Sequence, residues 1–200
     1  MVKPISTLTL AVEPTASKHW TVQDYHRMSE MGILAPDERT ELMNGQIVLK
    51  AAKSPAHVLA LRLLAMALDT LLVNQPFFVR TQDPIRLDDW SEPDPDLVIA
   101  RGTVLDYADR HPRSSDIELV VEVADSTLKH DCEIKDKLYV QAGIADYWVF
   151  DLKNRQLKVF RNPTPTGYTN HLILTEPNQI APLSFPTLTL SLTAILPPIM

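Results

Sequence analysis

Apolar and polar positions along this chain switch between the helical period and the strand period. Thr21 to Gly32, "TVQDYHRMSEMG", spaces its apolar residues helically behind a capping Thr21 and ends on Gly32, which predicts a short helix. In "ERTELMNGQIVLK" the Asn44-Gly45 pair is a turn signal, and "QIVLK" reads as a strand. "SPAHVLALRLLAMALDTLLVN" puts Val58, Leu61, Leu64, Leu68, Leu71 and Leu72 on one broad face. Ser54 can cap it and Pro55 suits its first turn, so a long helix backed onto a sheet is expected. "FFVRTQ", "IRL", "DLVIA" and "IELVVEV" are short β-rich runs separated by Pro, Asp and Gly. Asp131 to Ala142 reads as a helix ended by Gly143, and "DYWVFD" with "QLKVFR" as a hairpin around "LKNR". Beyond Asn162, seven prolines interrupt the strand-like pieces "TNHLILT" and "TLTLSL". The simplest packing of this order is an α/β fold, one mixed sheet flanked by helices. Residues 1–20 read as a flexible leader, 21–162 as the core domain, and 163–200 as a small peripheral β extension of it.

Composition narrows the class. Two hundred residues, 45% hydrophobic and 22% charged, can bury one ordinary core. No apolar run approaches the roughly 18 residues that span a bilayer. The N-terminus is weakly basic and then apolar, but Pro4, Glu13 and Pro14 break it, which argues against a signal peptide. Cys132 is the single cysteine, so neither a disulfide nor a thiolate metal cluster is expected, which fits a reducing cytoplasm. The net charge of −6 argues against holding nucleic acid by bulk positive charge. A local basic groove beside an acidic centre remains compatible with it.

The chemistry concentrates in "LVVEVADST", Leu119 to Thr127, a strand apolar enough to be buried yet carrying Glu122. An unpaired buried carboxylate costs several kcal/mol, so Glu122 must be neutral, paired or bound to a cation. Strand alternation puts Ile117, Leu119, Val121 and Val123 on one face and Glu118, Val120 and Glu122 on the other. In "SEPDPDLVIA", Asp96 opens another apolar strand on the face of Val98. If the two strands are neighbours, Asp96 and Glu122 converge, and two facing carboxylates require a cation or a proton between them. Oxygen ligation of this kind suits Mg²⁺ or Mn²⁺. Asp131, Lys135 and Tyr139 recur every four residues and line one helix face, with Ile134, Leu138 and Ala142 on a neighbouring face that can pack on the sheet. Lys135 then reaches over the sheet edge toward Glu122, where an amine can orient water or stabilise charge on an attacked phosphate.

A Pro-Asp strand, an acidic strand and a lysine close behind resemble the PD-(D/E)XK nuclease superfamily. With "ELMNGQIV", "SPAH", "RTQDPIRL", "PDLVIA", "LVVEVADST", "DCEIKDKLYVQAGI" and "DYWVFD" in this order, residues Val22 to Arg161 resemble, more narrowly, the widespread family of putative restriction endonucleases. The resemblance implies a restriction-endonuclease-like fold, a metal at Asp96 and Glu122, and DNA as substrate. It also implies Glu41 as the acidic position that completes such sites from the first helical region. Where many members carry the lysine, two residues after Glu122, this chain has Ala124. Lys135 would supply the amine from the helix, with Lys137 and Lys129 as rivals.

His57, in the first turn of the long helix, can touch a phosphate, orient a carboxylate or simply hold structure. Gln82 can reach the site from its strand, and Tyr139 can support it from the helix, although a surface amide and a core aromatic are the plain alternatives. "DST" reads as turn and cap, because no His and acid pair accompanies Ser126. The expected activity is that of a Mg²⁺-dependent endodeoxyribonuclease with Asp96, Glu122 and Lys135 as its catalytic set. The alternative is a non-catalytic module on the same fold that binds nucleic acid or protein. A homodimer is expected because two-fold symmetry matches duplex DNA, with the Pro-rich C-terminal extension as its candidate interface.

Overall fold

The computed structural model describes residues 17–35 and 37–198. Most of the expected leader, residues 1–16, lies outside them. Helix α1 (Val22–Glu30) begins at a reciprocal cap: Thr21 Oγ1 accepts from the Asp24 N–H at 3.1 Å, and Asp24 Oδ2 accepts from the Thr21 N–H at 3.1 Å. A hairpin of β1 (Thr40–Met43) and β2 (Gln46–Leu49) follows, and then the long helix α2 (Pro55–Leu71), capped by Ser54.

Six strands form the central sheet: β3 (Phe77–Thr81), β4 (Leu97–Arg101), β5 (Ile117–Ala124), β6 (Asp146–Asp151), β7 (Gln156–Thr164) and β8 (Gly167–Leu174), neighbours in that order. Every pair is antiparallel except β5 with β6. Those two run parallel because the chain between them crosses over through α3 (Leu128–His130), a π-helical turn (Asp131–Lys135) and α4 (Asp136–Gln141). The chain closes with the short pair β9 (Gln179–Ile180) and β10 (Leu190–Ser191) and with helix α5 (Leu192–Ile195).

Each face of the sheet carries its own core. On one, Leu61, Leu64 and Leu68 of α2 pack on Leu119, Val121, Trp148 and Phe150, together with Leu192, Ile195 and Leu196 from the C-terminal segment. On the other, Val120, Tyr139, Tyr147, Val149, Phe160 and Tyr168 pack together beneath α4. All of β5 is buried, as its unbroken apolar run requires with cover on both faces.

The fold departs from simple periodicity at five places. Between Ile99 and Ala100 the β4–β5 register shifts so that Ala100 pairs with Ile117, leaving Glu118 as an extra residue. This bulge moves Ile117 into the tyrosine-rich core, away from Leu119, and turns Glu118 toward Arg101 and Ser184. "IRL" is not a strand: within it Arg86 makes only an isolated bridge to Arg113. Val58 stays half exposed on α2. Ile134 is likewise 49% exposed, because the π-helical turn changes the angular spacing on which its inward placement depended. "TNHLILT" lies in β8, the edge strand of the central sheet, whereas "TLTLSL" yields only β10 before α5 begins.

The hairpin turn is a sensitive point because it presents β1 to the rest of the molecule. Asn44 and Gly45 both adopt positive φ, 48° and 76°. The Gly45 N–H donates to the Trp90 carbonyl, and its own carbonyl accepts from the Trp20 N–H. A Cβ on Gly45 would lie 2.5 Å from that of His19. Gly45→Ala should therefore destabilise the protein by at least about 1–2 kcal/mol, the cost of the left-handed conformation alone. Urea denaturation of the two proteins measures it.

Candidate active site

A cavity of about 540 Å³ opens where the start of β4 meets the end of β5, walled by the β1–β2 hairpin, the first turn of α2 and the π-helical turn. Glu41, His57, Asp96, Glu122, Asp131 and Lys135 all line it, and all are buried.

Local structure fixes each of them. The register pairs Leu97 with Val121, and one step further Asp96 falls opposite Glu122. Asp96 Oδ2 accepts from the Val123 N–H at 2.8 Å and Oδ1 from Gln82 Nε2 at 3.3 Å. His57 Nε2 sits 3.1 Å from the same Oδ1, at ion-pair distance but out of hydrogen-bond alignment. Burial alone would raise the Asp96 carboxyl. The contact with His57, the Val123 N–H and the charge of Lys135 outweigh it and hold Asp96 below its ordinary value.

Glu122 Oε1 accepts from Lys135 Nζ at 2.9 Å and from the Tyr139 hydroxyl at 2.9 Å. Burial, opposed by Lys135 but reinforced by Asp96, Asp131 and Glu41, pushes its carboxyl up to about 8. Lys135 Nζ also lies 3.1 Å from Glu41 Oε2. Burial would strip its proton, but Glu122, Glu41 and Asp131 prevail and keep Lys135 charged. Asp131 is raised mainly by burial, against Lys135 and a 2.6 Å hydrogen bond from Thr127 Oγ1.

The residues expected from sequence therefore meet, with one change of address. Glu41 comes from β1, not from the first helical region, and its Oε2 also accepts from the Asp94 N–H at 3.2 Å. Tyr139 and Gln82 both touch site carboxylates directly. Lys129 stays on the rim, 85% exposed beside Glu133, and Lys137 is exposed. Sequence reasoning missed the rim cations Arg39, Lys50 and Lys53, which follow no periodic pattern, and missed Asp131 as a wall of the cavity.

Among the described residues, no three His, Cys, Asp or Glu side chains converge as a ready set of ligands. A magnesium ion does not need three, since it commonly takes one or two carboxylates and keeps several waters. Asp96 and Glu122 provide two on facing strands, and Glu122 Oε2 accepts no hydrogen bond from the described residues. The donors are all hard oxygens, so the site fits Mg²⁺ or Mn²⁺ at Asp96 and Glu122, with Glu41 turned to Lys135 instead.

Two outcomes follow from these charges. Glu122 has a folded pKa above its unfolded value, so the native state holds the extra proton between about pH 4.5 and 8. Its stabilising contribution is complete below that window and is lost as pH rises through it, at up to ~1.4 kcal/mol per pH unit. Thermal melts in chelator from pH 5 to 8 should fall for the wild type and flatten for Glu122→Gln. Lys135→Met leaves buried carboxylates without their ammonium, which costs about 3–5 kcal/mol in chelator. Added Mn²⁺ should restore part of that loss in the same melts, because a divalent cation replaces the missing charge.

Comparison with known proteins gives the family and the fold. The Uma2 family, described as putative restriction endonuclease, matches residues 22–193. The crystal structure of a putative nuclease belonging to DUF820 from Anabaena variabilis superposes with a TM-score of 0.67 at 15% identity, covering 88% of this chain and 97% of that one. No curated protein matches the chain. The match extends over α1, the whole central sheet and the cavity, and the chain belongs to the Uma2 family of putative restriction endonucleases, with a restriction-endonuclease-like fold.

Proposed function

We propose that this protein is a metal-dependent endonuclease that hydrolyses phosphodiester bonds in DNA, working in the cytoplasm as a homodimer. One observation carries the reading. Four buried carboxylates, Glu41, Asp96, Glu122 and Asp131, surround the single ammonium of Lys135 in one open cavity. One ammonium cannot balance four carboxylates: below about pH 8 a proton on Glu122 takes up part of the excess, and a divalent cation would take that proton's place.

Asp96 and Glu122 would hold Mg²⁺ or Mn²⁺, which when bound supplies Lewis acidity to the phosphate and lowers the pKa of water. Gln82 and the Val123 N–H keep Asp96 oriented and ionised. Tyr139 holds Glu122, and Glu41 anchors Lys135, which would leave Glu122 free to hold the cation. Lys135 then directs its N–H groups to the attacking water or to the charge developing on the phosphate.

A second reading has its own support. Lys135 is already satisfied by two carboxylates, and both oxygens of Asp96 are engaged, as in a structural ion-pair network. The same fold would then serve as a binding module without catalysis.

Supercoiled plasmid incubated with Mg²⁺, Mn²⁺ or chelator separates the two. Nicked or linear product with metal, none with chelator, and a loss of about 10²-fold or more in Glu122→Gln are expected. Linear product without a nicked intermediate marks paired sites, whereas accumulating nicked circle marks sites acting singly and counts against the dimer. Wild-type protein that stays folded and cuts with neither metal belongs to the second reading.

A further inference from the structure

Three cations crowd one mouth of the cavity. Arg39 and Lys50 face each other at the open end of the β1–β2 hairpin, where the Lys50 N–H donates to the Arg39 carbonyl at 2.8 Å. Lys53 follows just before α2. Lys50 has its counter-charge, since its Nζ lies 2.6 Å from Asp94 Oδ2. Among the described residues, neither Arg39 nor Lys53 makes an ion pair with a carboxylate. Burial, then Arg39 and Lys50, hold the Lys53 amine below its ordinary value, against the weaker pull of Asp96 and Asp94. Arg39 and Lys53 thus hold like charges close together with no ion pair of their own among the described residues, and an external anion would relieve their repulsion.

Gln82 ties this group to the carboxylates. Its amide uses both ends: Oε1 accepts from Lys53 Nζ, and Nε2 donates to Asp96 Oδ1 at 3.3 Å. Its backbone stands at φ 57°, a left-handed conformation that a residue with a side chain rarely adopts. Its own N–H donates to the Asp96 carbonyl at 3.1 Å. Strained backbone of this kind persists where the surroundings impose it, and here it locks Lys53 to Asp96 through one rigid amide. Ser54, which caps the 17-residue α2, and His57 in its first turn line the same cavity, so the positive end of that helix dipole adds to the field.

We propose that Lys53 and Arg39 form a subsite for a backbone phosphate of a nucleic-acid strand, beside the phosphate to be cut, with Gln82 as the positioning residue that sets its distance from Asp96. The identity of the ligand as a phosphodiester strand rests on the nuclease reading. Arg39 offers a planar fork for phosphate oxygens, and Lys53 a point charge. The subsite explains how a chain of net charge −6 can hold a polyanion against its own acidic cluster.

The test is fluorescence anisotropy of a fluorescein-labelled duplex of about 20 base pairs in chelator, titrated from ~50 to 300 mM KCl. Lys53→Gln and Arg39→Gln should each lower affinity several-fold at low salt and flatten the log–log salt slope by about 0.9, one phosphate contact each. Gln82→Glu sets a carboxylate against Lys53 and should flatten the slope as Lys53→Gln does, which a merely structural Gln82 would not. Arg110→Gln, in the exposed loop that enters β5 at the end away from the cavity, removes the same charge and should leave the slope unchanged. Wild-type slopes in Lys53→Gln and Arg39→Gln, or an equal drop in Arg110→Gln, would overturn the subsite. Plasmid cleavage by the same proteins keeps the two ideas apart. Wild type that cuts while Lys53→Gln retains its slope removes the subsite and keeps the nuclease. Wild type that binds with the expected slope losses and never cuts keeps the subsite and removes the nuclease. Wild type that binds no duplex overturns the subsite.

Discussion

The contact on which the rest depends is the ammonium of Lys135 set between Glu122 at 2.9 Å and Glu41 at 3.1 Å. It joins the central sheet, the β1–β2 hairpin and the crossover helix at one point. The sheet delivers Glu122 from a wholly buried strand, the hairpin swings Glu41 over the cavity, and the crossover brings Lys135 back across. Removing water from these charges is costly, and their attraction offsets the cost only while all the partners remain in place. The surrounding hydrogen bonds, from Tyr139 to Glu122, from the Asp94 N–H to Glu41 and from Thr127 to Asp131, keep them there.

Much of this was legible in the sequence, for identifiable reasons. Glu122 stood out because a charge inside an apolar strand demands a partner, and strand alternation gave its side of the sheet correctly. Asp96 was legible because an acid at the mouth of a strand, on the parity of Val98, had to fall near it. The four-residue spacing of Asp131, Lys135 and Tyr139 identified the helix face that carries Lys135 to Glu122, and all three are buried.

Other features were hidden because they arise from pairing, which one strand's pattern cannot express. The bulge at Glu118 exists only in the β4–β5 register, so Ile117 was assigned to the wrong core. Glu41 was expected at the site only through the family resemblance, since no pattern in its own strand shows the docking that brings it there. The apolar residues of the C-terminal segment read as a surface for a second copy. Yet Leu192, Ile195 and Leu196 are buried against α2 within this chain. Arg39 and Lys53 look like ordinary solvated charges until the structure brings them to one mouth.

The π-helical turn from Asp131 to Lys135 bears on how this site can be inherited. Such a turn holds one residue more than the α-helical path it replaces. A single-codon deletion between Asp131 and Lys135 would restore a regular helix while the segments on either side keep the faces they already present. The core beneath α4 would survive, and Lys135 would stay in register with Tyr139. Lineages of this fold can thus gain or lose one residue in the crossover at little cost to the core, so that chain length here is a poor guide to whether the charged centre is kept.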